Sequence, residues 1–264
     1  VSQWPVVTVG VNTYNRADLL PRALDSVLVQ ELPEWKDFEV IVADDCSNDA
    51  GATDEVIKRY ARIFDDRGIV FTAFKLGENS GYQCVPKNKI IELAHGDFIR
   101  YLDDDNAFTP GSLKALVDAA HESDVWSDVI YGRRTYIADD GFKQPEKPVY
   151  VGDSPFVGHD PERLAAGPMY NYIDTSDALI ARGAFWWLYE HTNKFWDESY
   201  RRFGDWELFT RMANLDRLVG AASPRFKALD QIVSEYHWTG TNLQLTRPLN
   251  ETPVAKSMTS GQVI

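Results

Sequence analysis

From residue 6 onward, short β-branched apolar runs alternate with segments whose apolar residues recur at helical spacing. VVTVGVN (6–12) reads as a strand, and ADLLPRALDSVLVQ (17–30) as a helix with Leu19, Leu20, Ala23, Leu24, Val27 and Leu28 on one face. FEVIVADD (38–45) predicts a second strand, residues 53–64 a helix, IVFTAF (69–74) a third strand and residues 84–94 another helix. DFIRYLDDD (97–105) predicts a fourth strand, and PGSLKALVDAAHE a helix with Pro110 in its first turn. Strands separated by helices of this length specify βαβ units and a mainly parallel, Rossmann-like α/β sheet with helices on both faces.

Regularity then weakens. DVIYGRRTYIAD (128–139) reads as one or two strands, while residues 140–172 carry five prolines and scattered glycines and read as loops and short edge pieces. Helical spacing returns at 183–192 and 205–215, QIVSEYHW (231–238) reads as a strand, and little pattern follows Arg247. The chain is therefore expected to be one domain with a nucleotide-binding front half (1–125), an acceptor-facing back half (126–246) and a tail (247–264).

Composition narrows the chemistry. The 264 residues are 44% hydrophobic, enough for a large packed core. With 27 basic and 40 acidic residues the net charge is -13, which opposes attraction to phosphate backbones, so a nucleic-acid partner is not expected. Two cysteines, Cys46 and Cys84, provide neither a disulfide framework nor cysteine-based zinc spacing, and fit a cytoplasmic setting. No apolar run reaches the roughly 18 residues of a membrane span, and the opening VSQWPVVTVG has no basic n-region.

Ligands of open α/β sheets bind at the carboxyl ends of the strands. The first strand ends in Thr13, Tyr14, Asn15 and Arg16, the second in Asp44 and Asp45, and the fourth in Asp103, Asp104 and Asp105. Each alone has a plain explanation as a helix cap, a capping turn or a solvated loop. Together at one sheet edge they suit a metal-bound nucleoside diphosphate derivative. Arg16 meets phosphate, a carboxylate such as Asp45 meets base or ribose, Tyr14 stacks on a base, and carboxylates hold Mg²⁺ or Mn²⁺. In an extended stretch Asp103 and Asp105 share a face and Asp104 points away.

The strings VTVGVNTYNRADLLPRALDSVLVQ, FEVIVADDCSND and ENSGYQCVPKNKIIELAHGDFIRYLDDDNAFTPGSL resemble, in order and spacing, the inverting family 2 glycosyltransferases of GT-A fold. The resemblance implies a metal-dependent transfer of a sugar from a nucleoside diphosphate sugar, UDP-sugar favoured, to an acceptor hydroxyl. By position it puts Thr13, Tyr14, Asn15, Arg16 and Asp45 on the nucleotide and Lys87 or Asn88 near the diphosphate or sugar. It makes Asp105 the principal metal ligand, with Asp103 or Asp104 reaching ribose or sugar. The triplet ends in Asn106 where the commoner motif has a further acid.

In the rear half, KFWDESYRRFGDWELFTRMA is similar to the family stretch whose aspartate before an aromatic is the catalytic base. That position is Asp205, with Glu207 the alternative base and a helix N-cap its plain structural reading. The family's preceding Glu is replaced by Gly204. Some members complete the metal site with a histidine from the region of His237. Trp186, Trp187, Trp206 and Trp238 could each stack on a sugar face or, for the first two, pack in the core. The 140–172 loop is expected to act as a lid. Two other readings stand beside this one. A sugar-1-phosphate nucleotidyltransferase calls for a Gly-rich, Arg-containing loop after the first strand, which VNTYNRAD lacks. A non-catalytic nucleotide-sugar or glycan-binding module needs no base at Asp205.

Overall fold

The computed structural model describes residues 6–32, 37–121, 127–138, 152–153, 173–201, 203–238 and 262–263. The expected lid at 140–172 lies outside them apart from the two-residue strand Gly152–Asp153. So does nearly all of the 247–264 tail.

The alternating apolar runs form the front of a mixed sheet. Strands β1 (Val7–Thr13), β2 (Phe38–Asp44), β3 (Phe71–Lys75) and β4 (Phe98–Asp103) are parallel in the order β3-β2-β1-β4. Helices α1 (Leu20–Leu28), α2 (Ala52–Asp66) and α3 (Cys84–Leu93) make the crossovers. All seven residues of β2 and six of seven in β1 are buried, so both faces of the sheet are covered, as parallel sheets require. At Gly10 a Cβ would lie 2.7 Å from Ile90 Cγ2, and its absence lets α3 settle against β1.

Past β4 come the two-residue β5 (Ala107–Phe108), α4 (Ser112–His121), β6 (Val129–Ala138) and β7 (Gly152–Asp153). A 3₁₀ turn (Thr175–Asp177) leads into β8 (Ala178–Ala181), α5 (Arg182–Thr192), α6 (Gly204–Ala213), α7 (Leu215–Val219), β9 (Phe226–Trp238) and β10 (Gln262–Val263). The same sheet continues through them in the order β4-β8-β6-β9-β5, with β8 antiparallel to β4. Both halves therefore share one sheet and one apolar core. Among the described residues no helix is long and apolar enough to cross a membrane.

Two expectations change. β4 stops at Asp103, and Asp104 and Asp105 lie in a turn closed by the Asn106 N–H to Asp103 carbonyl bond of 3.0 Å. The alternation that pairs Asp103 with Asp105 on one face therefore does not apply to the triplet. Trp186 and Trp187, offered as core, are 46% and 40% exposed, because α5 buries Ala184, Phe185 and Leu188 instead.

Candidate active site

Parallel register aligns Thr13 with Asp44 and Asn12 with Asp103, so the ends of β1, β2 and β4 meet at one edge. The loops after β1 and β2 are zipped together there. Asn15, in left-handed backbone at φ 52°, donates its N–H to Ser47 Oγ (2.8 Å) and pairs its amide with Asn48. It is therefore not a helix cap; α1 starts after Leu19 without a side-chain cap. Thr13 is buried and its carbonyl accepts from the Asp45 N–H (2.9 Å), while Tyr14 is half-buried beside them.

Within DDCSND the acids divide by task. Asp44 is fully buried and accepts from Ser47 N and Oγ, with Lys75 Nζ 3.4 Å from its other oxygen. Asp49 accepts from the Thr53 N–H and hydroxyl at the start of α2. Asp45 accepts from Ser80 N (2.8 Å), Asn79 Nδ2 (3.0 Å) and Gly81 N (3.2 Å). Burial nevertheless outweighs these bonds and pushes its carboxyl up to about 6. The ENSG loop thus closes directly over the residue expected to meet the base.

The triplet divides as its turn dictates. Arg16 Nη1 lies 2.7 Å from Asp104 Oδ1 and 2.8 Å from Asp105 Oδ2, and Arg22 Nη2 donates to the Asp105 carbonyl. Asp103 faces the other way, 3.0 Å from Lys87 Nζ. So Asp104 is the partner of Asp105, and Asp103 belongs with Lys87. Burial first, then the Asp104 charge, push the Asp105 carboxyl up to about 7 despite Arg16, and Asp104 is raised as well. Asn106 Oδ1 accepts the His237 N–H (3.1 Å), which pins β9 to this turn, and the His237 ring Nε2 lies 3.2 Å from Glu235.

Lys87 is fully buried and reaches Gln83 Oε1 (2.5 Å) and Thr175 Oγ1 (3.0 Å) as well as Asp103. Its ammonium also sits 5.0 Å from the Trp196 ring centroid. Asn88, its neighbour, has its amide engaged elsewhere, bonding both the N–H and carbonyl of Trp196 and the Glu198 carboxylate. It holds the segment that leads to Asp205, and of the two Lys87 is the residue facing the acids.

Asp205 stands in the first turn of α6, where aligned N–H groups favour an anion, and is 8% exposed. It is not the N-cap; Phe203, at φ 56°, occupies that place. Its Oδ1 accepts the Trp206 N–H (2.9 Å), yet burial raises its carboxyl above the usual range, with Lys87 and Arg134 opposing the rise and Asp103 adding to it. Glu207, the alternative base, is held by Arg211 at 2.6 and 3.1 Å. Gly204 has a steric cause: a Cβ would lie 2.8 Å from Cys84 Sγ.

The sequence reading passed over the Asp174 to Asp177 turn and the arginines that brace it. Asp177 is gripped by Arg134 (2.7 Å) and Ser234 (2.6 Å). Arg100, fully buried, donates to Ser112 Oγ, the Val233 carbonyl and the Ser176 carbonyl. The spacing Asp174-x-x-Asp177 is itself a capping signature that could have marked the turn.

Asp103, Asp104, Asp105, Asp174, Asp177 and Asp205 meet three cations, Arg16, Lys87 and Arg134. That excess of hard carboxylate oxygens fits a divalent cation, the more so if a diphosphate brings further negative charge. Among the described residues, though, no three acid, histidine or cysteine side chains are gathered closely enough to hold one. Asp105 meets Arg16, and the His237 ring meets Glu235.

The chain resembles proteins of known name. It is 35% identical over 128 residues to the poly(ribitol-phosphate) β-N-acetylglucosaminyltransferase TarP of Staphylococcus aureus, which covers 48% of this chain and 36% of TarP. It is 36% identical over 120 residues to a GalNAc(5)-diNAcBac-PP-undecaprenol β-1,3-glucosyltransferase of Campylobacter jejuni, covering 45% of this chain and 35% of that protein. The chain thus spans only about a third of the length of these relatives. Among solved structures, S. aureus TarS 1-349 in complex with UDP-GlcNAc superposes with a TM-score of 0.60 at 20% identity, over 92% of this chain and 61% of that one. The mannosyltransferase PcManGT of Pyrobaculum calidifontis, in complex with GDP-Man and Mn²⁺, gives 0.56 at 18% identity over 91% and 59%. These likenesses establish the shared GT-A fold. The family model for glycosyl transferase family 2 matches residues 8–188, more than half of the chain. The chain belongs to glycosyl transferase family 2.

Proposed function

We propose that this protein is a metal-dependent inverting glycosyltransferase that moves a sugar from a nucleoside diphosphate sugar, a UDP-sugar by preference, to an acceptor hydroxyl. The observation that carries this reading is the meeting of the ends of β1, β2 and β4 at one edge, where Lys87 pairs with Asp103 and the buried Asp205 lies within their electrostatic reach. The nucleotide lies along Thr13, Tyr14, Asn15 and Asp45, the diphosphate at Arg16 and the triplet. Asp105 and Asp104 would hold Mn²⁺ or Mg²⁺, with His237, whose N–H is bonded to Asn106 beside them, as a further candidate ligand. When bound, the cation supplies charge neutralisation on the departing diphosphate.

The chain's own groups do the rest. Arg16, held between Asp104 and Asp105, is the guanidinium at hand for the diphosphate. Lys87, packed against Trp196, adds a fixed positive charge beside the donor sugar. Asp205 accepts the proton of the acceptor hydroxyl as its oxygen attacks from the face opposite the leaving group, an effect on the order of 10²–10⁴-fold. Its raised proton affinity makes it a stronger base than an exposed aspartate. Replacement by Asn tests the reading: Asp205→Asn should bind UDP like the parent yet lose transfer. Unchanged transfer would move the base to another group, Glu207 being the alternative, whereas a parent that binds UDP and transfers nothing would refer the chain to a binding module.

A further inference from the structure

We propose that Tyr136 and Tyr236 form an aromatic platform on which a neutral pyranose acceptor stacks, so that the pair determines acceptor specificity. The inference rests on the glycosyl-transfer reading above.

Strand direction brings the two tyrosines to the site. β8 runs antiparallel to β4 and β6 antiparallel to β8, so β6 is parallel to β4, and β9 is parallel to β6. The carboxyl ends of β6 and β9 therefore open on the same edge as those of β1, β2 and β4. Register pairs Tyr136 with Tyr236, each two residues before its strand ends. On β9 both neighbours of Tyr236 are tied to the segment that follows the acidic triplet. Glu235 is the strand partner of Ala107, and the His237 N–H is bonded to Asn106.

Alternation then sets the face. Two residues back on each strand, Arg134 and Ser234 both point at Asp177, in the turn whose Thr175 accepts from Lys87. Tyr136 and Tyr236 point the same way, toward the face that carries the Lys87–Asp103 pair. Arg134 and Ser234 are buried, whereas both tyrosines are half-buried, so the covered floor gives way at the two rings. Their centroids are 5.6 Å apart at an interplanar angle of 53°, so they are not stacked face to face. Arg134 Nη1 donates to Tyr136 Oη (3.3 Å) and orients that ring. Burial, then the charges of Asp174, Asp105 and Asp103, push the Tyr236 phenol above its usual range and keep it neutral.

A pyranose has an apolar C–H face and a rim of hydroxyls, which suits aromatic rings bordered by carboxylates. The nucleotide is assigned to β1 and β2, on the other side of β4 in the sheet, which leaves β6 and β9 to the acceptor. Charge selects a neutral ring. The triplet adjoins the pair, and the Arg134 guanidinium beside Tyr136 is already compensated by Asp177, so a phosphate-bearing acceptor is disfavoured.

The test uses the full chain, with UDP-GlcNAc and UDP-glucose as donors and methyl hexopyranosides or ribitol 5-phosphate as acceptors. The parent should prefer a pyranoside. Tyr136→Leu and Tyr236→Leu keep an apolar side chain but lose the flat ring, and each should raise KM for the pyranoside about three- to tenfold. Donor hydrolysis, and UDP affinity by calorimetry, should stay within twofold of the parent. Tyr136→Phe and Tyr236→Phe, which keep the ring, should hold KM within twofold. Pyranoside KM within twofold in both Leu variants would overturn the inference. So would hydrolysis that falls together with transfer, which would put the rings on the donor sugar, or a preference for ribitol 5-phosphate over every pyranoside. Tyr136→Met and Tyr236→Met are read the same way should a Leu variant fail to bind UDP. A parent protein that neither binds nor hydrolyses nucleotide sugars would instead remove the functional reading itself.

Discussion

Gly204 stands where the resemblance leads one to expect a glutamate, and the structure gives a steric reason that can be measured. An added Cβ would lie 2.8 Å from Cys84 Sγ and 3.7 Å from Trp196 Cε3. Carbon and sulfur prefer separations beyond about 3.5 Å, so the thiol must move. Cys84 is fully buried and its Sγ donates to the Tyr200 carbonyl, which leaves it little room. Without the clash Gly204→Ala would stabilise the helix by up to about 1 kcal/mol. Overpacking instead costs about 1–3 kcal/mol, so the single variant should be destabilised by up to about 2 kcal/mol. Cys84→Ala alone leaves a small cavity, at a cost of about 1 kcal/mol. With the sulfur gone, Gly204→Ala should become neutral or stabilising, so the pair couples by about 1–3 kcal/mol. Urea unfolding of the four proteins, followed by circular dichroism, measures that coupling. Additivity within about 0.5 kcal/mol would refute the steric explanation.

Other outcomes follow from the same geometry. Asp205→Asn should lower the transfer rate about 10²–10⁴-fold at unchanged UDP affinity, read from initial rates beside calorimetry. Because burial raises the Asp205 carboxyl and only the ionised form accepts a proton, activity should fall on the acid side at higher pH than for an ordinary aspartate. A pH–rate profile flat down to pH 4 would contradict that assignment. Asp45, pushed up to about 6, binds its proton more tightly folded than unfolded. Its contribution therefore favours folding most at low pH and declines as pH rises from about 4 to about 6, by at most about 3 kcal/mol. The difference in unfolding free energy between parent and Asp45→Asn, followed over that window, checks the sign. Arg100→Lys should cost about 2–4 kcal/mol, since one ammonium cannot serve Ser112, Ser176 and Val233 together. Denaturant unfolding reads that loss.

The front of the molecule was legible because each element obeys a local rule. β1, β2 and β4 are apolar runs and α1 and α3 carry apolar stripes, so the parallel register followed, and with it the meeting of Tyr14, Asp45 and Asp103. Helix starts at α5 and α6 were predicted within one residue. What the chain order hides is pairing across distance. Nothing near Asp104 announces that Arg16 will span it and Asp105, and strand alternation misassigned the triplet because β4 ends two residues earlier than its charge pattern suggests. Asn88 reads as a ligand in sequence and becomes a brace only when Trp196 is brought to it. The Asp174 to Asp177 turn was hidden because its partners, Arg134 and Ser234 on Asp177 and Lys87 on Thr175, are all distant in sequence.

The central claim is a nucleotide-sugar site that works with a divalent cation. Titrating UDP into the protein with Mn²⁺, and again after EDTA, addresses it most directly, with melting temperature as the second readout. At a hundredfold excess over Kd, bound UDP should add about 2.7 kcal/mol of stability. For a chain of this size that is a rise of roughly 5–10 °C. Saturable binding in Mn²⁺ that weakens at least tenfold in EDTA, and is lost in Asp105→Ala, is the predicted result. No heat and no melting shift with UDP or GDP, with or without Mn²⁺, would contradict it.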